Sequence, residues 1–124
     1  MKLLHIILIG ITMLSLDLVY LSTFSGFFNK LVKSIQGMPI EFNVIGAILC
    51  YLLLIGGLSY FILSKKRALK DAFLLGLVIY GVYETTNYTI LKNWSFKAVM
   101  LDTLWGAILF TLTAAVYYRF IAAL

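Results

Sequence analysis

Apolar positions along the chain gather into four long stretches separated by short polar breaks. The first runs from about Leu3 to Phe27, the second from Phe42 to Leu63, the third from Asp71 to about Thr89 and the fourth from about Phe96 to Tyr118. A bilayer core about 30 Å thick needs roughly 20 apolar residues per helical crossing. Each stretch therefore predicts a spanning helix. Spans at about 3–27, 42–63, 71–89 and 96–118 use most of the chain and predict a single domain over 1–124. The expected fold is all-α, an integral membrane four-helix bundle. Lys2 followed by an apolar run fits the opening of a signal peptide. Asp17 inside the run, the lack of an Ala-x-Ala site and the length of the run favour a retained span.

The breaks carry their own patterns. In Phe28 to Glu41, the apolar residues Phe28, Leu31, Val32 and Ile35 fall at i, i+3, i+4 and i+7, the stripe of an amphipathic helix. A short interfacial helix is expected there, ended by Gly37 and Pro39. The second break, Ser64 to Lys70, is a tight basic turn. Between two spans it reads as lipid-facing charge, and no nucleic-acid partner is expected. The third is Lys92-Asn93-Trp94-Ser95. Lys2, Lys65, Lys66, Arg67, Lys70 and Arg119 share one side of the expected topology, and Lys30, Lys33, Lys92 and Lys97 the other. Six against four places both termini on the same, cytoplasmic side. The bias is small enough to leave dual insertion open.

Composition agrees: 63% of the residues are hydrophobic and 12% charged, against about 45–50% and about 25% in an average soluble domain. This excludes an ordinary soluble domain and a disordered chain. The single cysteine, Cys50, excludes a disulfide scaffold.

Charge sharpens the picture further. All ten basic residues fall at span edges, while three of the five acids, Asp17, Glu84 and Asp102, fall inside spans. An unpaired charge at mid-helix costs about 2.5–3.5 kcal/mol on an insertion scale. The acids must therefore be protonated, paired or turned toward a polar cavity. Asp17 is expected about 15 Å below the outer end of its span, and Glu84 and Asp102 roughly 8–10 Å deep. All three then occupy the outer half.

Helical spacing adds neighbours. Glu84 shares a face with Gly76, Tyr80 and Asn87, and Asp102 with Trp105, Gly106 and Leu109. Tyr20 lies near Asp17. The glycines allow close helix approach. The second span has no evident polar anchor and reads as packing support, with Gly46, Cys50 and Gly56-Gly57 at contacts. Tyr80, Tyr83 and Tyr88 also fit an interfacial belt, and so does Trp94. His5 reads as a rim histidine and Cys50 as a buried structural thiol. A zinc-type site lacks ligands. No catalytic residue and no cofactor are assigned.

The third and fourth spans also form one motif. It runs Tyr80-Gly81-Val82-Tyr83-Glu84-Thr85-Thr86-Asn87, then Thr89-Ile90-Leu91-Lys92-Asn93-Trp94, then Asp102-Thr103-Leu104-Trp105-Gly106. This resembles the signature of the DUF2177 family of small predicted membrane proteins. Leu16-Asp17-Leu18-Val19-Tyr20 resembles that family's opening. Glu84 departs from it, since the pattern often has Asp there; the extra methylene keeps the charge and changes its reach. The resemblance implies a four-helix membrane protein and carries no activity with it. It draws Thr86, Lys92 and Trp94 into the candidate set. Lys92 could cap the third span and neutralise Glu84, or serve as an interfacial anchor.

The leading expectation is an acidic, outward-biased pocket that binds or translocates a proton, a cation or a small molecule. Asp17, Glu84 and Asp102 would be the ionisable groups, Asn87 a neutral ligand, and Tyr80 and Trp105 the walls. Tyr20, Tyr83, Thr86, Lys92 and Trp94 would surround them. Two alternatives remain: a membrane-embedded enzyme acting on a lipid or isoprenoid with a carboxylate acid/base pair, and a structural protein whose acids are interhelical glue. A unit this small offers few walls for alternating access, which points to a homo-oligomer in the lipid bilayer. The mouth of the pocket, toward water or toward acyl chains, separates the first two readings.

Overall fold

The computed structural model describes residues 1–124 and is all-helical. Helix α1 spans Leu3–Gln36 and α3 Leu69–Ile90. Helix α2 starts at Val44 and α4 at Phe96. Both finish in a widened π turn, Ser59–Leu63 in α2 and Tyr117–Ile121 in α4. Asn43 and Ser95 cap the starts of α2 and α4, accepting from the amides of Gly46 and Ala98. Each satisfies an amide that the first helical turn leaves without a partner.

Helix α1 corrects the expectation of a separate interfacial helix after the first span. It continues unbroken through Phe28–Ile35 for 34 residues, roughly 50 Å at 1.5 Å per residue. No glycine pair or proline interrupts it, and the amphipathic stripe simply extends the same helix. It stops at Gly37, which adopts φ 83° and donates its N–H to Lys33 O at 2.9 Å. Side chains at the end of α1 then hold the connection to α2. Gln36 Nε2 donates to the carbonyls of Met38 and Pro39, and Asn29 Oδ1 accepts from the Ile40 amide.

Helices α1, α2 and α4 are long and apolar enough to cross a membrane. Helix α3 has the length, 22 residues, but its final turns carry Glu84, Thr85, Thr86, Asn87 and Thr89. These dilute its hydropathy, so three helices rather than four qualify on composition. Leu74, Val78 and Val82 nevertheless form an exposed apolar stripe along α3, four residues apart.

The closest helix pair is α3 with α4. A Cβ on Gly76 would overlap the Gly106 carbonyl oxygen, and one on Gly106 would overlap the Tyr80 ring. Only glycine permits that approach. The expected contact glycines of α2 are corrected. Nothing lies within 4 Å of a Cβ on Gly56 or Gly57, and Gly46 meets only its own cap, Asn43. The tight glycine against α2 is Gly10 of α1, where an added Cβ would lie 3.2 Å from the Ile55 side chain.

The apolar core fills one half of the molecule. It includes Ile9, Met13, Leu58, Leu63, Phe110 and Ala114. That half ends at the basic α2–α3 turn, where Lys2 Nζ also reaches Leu124 O at 2.9 Å. The three acids lie in the other half, toward the α1–α2 and α3–α4 connections.

Candidate functional site

Asp17 is buried on α1, and both carboxylate oxygens accept hydrogen bonds. Tyr51 of α2 donates to one, and Trp105 Nε1 of α4 donates to the other at 2.9 Å. Tyr51 corrects the view that α2 lacks a polar anchor. Its signal was a lone hydroxyl within an apolar run, which periodicity alone assigns to packing.

Asp102 and Glu84 form the second part of the site. Tyr20 Oη donates to Asp102 Oδ1 at 3.0 Å, and Trp94 Nε1 donates to Glu84 Oε1 at 2.9 Å. Glu84 and Asp102 are neighbouring carboxyl groups that line one cavity. Glu84 is 1% exposed. Tyr20 stacks on Trp105, with ring centroids 4.8 Å apart and planes 3° apart. One aromatic pair therefore serves two acids.

The local chain geometry explains these contacts. Asp17 and Tyr20 are one helical turn apart on α1, as are Asp102 and Trp105 on α4. Placing α1 against α4 crosses the pairs, so each aromatic reaches the acid of the other helix. At the α3–α4 turn, Asn93 adopts φ 72°. That turns the chain so that the Trp94 indole folds back to α3.

Two cavities meet the acids. A vestibule of about 880 Å³ opens under the α1–α2 connection and is lined by Tyr20, Glu41, Tyr83, Glu84, Trp94 and Asp102 among others. A crevice of about 370 Å³ lies between α2 and α3. Those helices do not pack extensively on each other; α3 packs on α4 and α2 on α1. The crevice presents Asp17 and Asp102 beside Ala47, Cys50, Tyr51, Leu54, Ile79, Tyr80 and Tyr83. Asp102 and Tyr83 line both spaces.

The remaining expected residues divide. Tyr80 lines the crevice. Its ring covers Gly106 and meets Phe110 edge-on. Trp105 lines neither space and instead holds Asp17 from behind. Asn87 is half-buried and lines neither cavity. A spacing of three residues leaves it about 60° around the helix from Glu84. Thr86 and Lys92 are exposed. The partner of Glu84 from the α3–α4 turn is Trp94, not Lys92. Cys50 is exposed rather than buried, and His5, near the start of α1, is buried. No three His, Cys, Asp or Glu side chains converge to hold a metal ion.

Apolar helices of spanning length, with carboxyl groups buried among tyrosine and tryptophan donors, define a helical membrane protein. The chain belongs to the DUF2177 family: the family model, described as a predicted membrane protein, matches residues 2–119. No curated protein and no solved structure has significant similarity to the chain.

Proposed function

We propose that this is a multi-pass membrane protein whose acidic site binds a small amphipathic organic cation in exchange for a proton. The observation that carries this reading is the shared position of Asp102. It lines both the vestibule and the crevice between α2 and α3. A ligand with one apolar and one charged end fits such a path. The crevice volume, about 370 Å³, falls within the ordinary range for small-molecule sites. Leu54 and Ile79 supply apolar contact, Tyr51, Tyr80 and Tyr83 supply ring faces for a cation, and Asp17 and Asp102 supply charge. The exposed stripe Leu74–Val78–Val82 supports α3 as the fourth span. The meeting of Lys2 and Leu124 supports termini on one side, and the excess of basic residues at that end supports its being cytoplasmic.

The proton follows from the pairing of Glu84 and Asp102. Two neighbouring carboxyl groups in a low-dielectric site do not both ionise readily, because like charges repel, so one of them holds the proton. A bound cation beside Asp102 makes that proton dispensable, because it supplies the missing positive charge. Tetraphenylphosphonium, whose charge is permanent, is the direct probe. It is expected to bind the detergent-solubilised protein saturably in equilibrium dialysis, and Asp102→Asn is expected to weaken it at least tenfold. Unchanged binding in Asp102→Asn would exclude this carboxyl group as the cation's partner.

A second reading, acid/base chemistry on a lipid or isoprenoid, draws on one observation. The crevice opens between helices rather than solely at the water-facing end. Incubation with bilayer lipids followed by mass spectrometry distinguishes it, because an enzyme yields a changed lipid and a binding site does not.

A further inference from the structure

The opposite, basic end holds a cavity that the acidic site does not use. It measures about 670 Å³, and its lining includes His5, Ser64, Lys66, Arg67, Tyr117 and Tyr118. His5 is the feature that asks for a ligand. It is 7% exposed, and neither ring nitrogen has a hydrogen-bond partner. Its ring meets Tyr117 edge-on, with centroids 5.9 Å apart. A buried polar group without a partner is costly and rare; the His5 ring borders the cavity with both nitrogens shielded from water, so a rotation of the ring is what would bring one to a ligand there.

The rest of the wall is built for negative charge. Lys66 and Arg67 lie in the turn before α3, and the turn is fixed by Tyr118 Oη donating to Arg67 O at 2.6 Å. Helix α3 starts there without a side-chain cap. Its first intrahelical donor is Asp71, bonded to Ala68 O, so the Leu69 amide has no intrahelical acceptor. Leu69 also lines the cavity. A helix start with free amides beside two cations and an unpaired imidazole favours an anion with several oxygens. The π turns of α2 and α4 supply the facing walls, through Leu63 and Tyr117. Such turns widen a helix where a site needs room.

We propose that this cavity binds a phosphoryl group, with His5, Lys66, Arg67 and the start of α3 as its donors. The group reaches it either as the headgroup of an anionic lipid or as a free phosphate compound. Asp71, in the first turn of α3, is the nearby acid and limits how much negative charge the site accepts. The volume exceeds that of a bare phosphate, and the apolar share of its lining favours a phosphate carried on an organic group.

The test uses the full chain in nanodiscs and counts retained lipid by native mass spectrometry. Phosphatidic acid is compared with phosphatidylcholine, and inorganic pyrophosphate is titrated as a competitor. Expected is preferential retention of phosphatidic acid, lowered at least fivefold in the double variant Lys66→Gln/Arg67→Gln. His5→Phe lowers it as well, whereas His5→Gln, which keeps a donor, retains more. Lys65→Gln, on the same turn but with its ammonium over the Tyr60 ring at 4.4 Å, leaves retention unchanged. Binding of pyrophosphate without preference for phosphatidic acid assigns the site to free phosphate compounds. The proposal is overturned if neither phosphate source is preferred over phosphatidylcholine. It is equally overturned if Lys65→Gln costs as much as the double variant, because the turn is then a general basic surface.

Discussion

Tyr20 and Trp105 stack face to face, 4.8 Å apart, and their polar atoms point to different acids. The phenol bonds Asp102, and the indole bonds Asp17. The two acids are thereby held by one rigid aromatic unit between α1 and α4. Trp105→Phe keeps a ring for the stack and removes the donor to Asp17. It is expected to cost about 1–3 kcal/mol. Asp17→Asn is expected to cost a similar amount, since an amide has one acceptor oxygen for two donors. The double variant should cost less than the sum, with a coupling of about 0.5–3 kcal/mol. Reversible unfolding in mixed micelles measures all three. If the acids are merely interhelical glue, these losses appear with no effect on ligand binding.

The close approach of α3 and α4 gives a second prediction. Gly76→Ala places a methyl against the Gly106 carbonyl, a backbone atom that cannot swing aside. It is expected to lower stability by about 1–3 kcal/mol, as overpacking does. Gly56→Ala meets nothing and is expected to raise stability by roughly 0.5–1 kcal/mol through helix propensity. Opposite shifts of the thermal midpoint in the two variants check this.

Glu84 depends on Trp94 rather than Lys92. Trp94→Phe removes its donor and is expected to cost about 1–2 kcal/mol. Lys92→Gln, at an exposed site, should change stability by less than about 0.5 kcal/mol. Equal losses in the two variants would show that the charge, not the indole, holds the carboxyl group.

Cys50 offers a reporter inside the crevice, since it is exposed and lines that space. Membrane-permeant N-ethylmaleimide is expected to label it. Tetraphenylphosphonium should slow the labelling at least threefold, and Asp102→Asn should abolish the protection. Labelling that the cation leaves untouched would place the ligand elsewhere.

Several of these relationships were readable in the sequence, and the rest were not, for identifiable reasons. The helices and the unusual acids follow from run length and from the cost of charge in lipid, which act locally. Gly76 and Gly106 stand out because a helix surface repeats every three or four residues. Tyr51 was hidden because a tyrosine in an apolar run looks like packing until the helix opposite is placed. Spacing alone assigns Trp94 to an interfacial belt and only the family motif draws it toward the site, because its role depends on the left-handed turn at Asn93. Asn87 shows the opposite error: a shared face by spacing did not put its amide at the acids. The unbroken α1 shows that an amphipathic stripe does not mark a new helix where no residue breaks the old one. The burial of His5 needs three-dimensional placement, since a position near the start of α1 does not show which side chains cover it.

In the proposed exchange, a cation takes the place of a proton at the Asp102 site. Its most direct test is titration calorimetry with tetraphenylphosphonium in two buffers of different ionisation enthalpy at one pH. The observed heat is expected to shift with the buffer by an amount equal to about one proton released per cation bound, and Glu84→Gln is expected to reduce that number. Binding with the same heat in both buffers would contradict it.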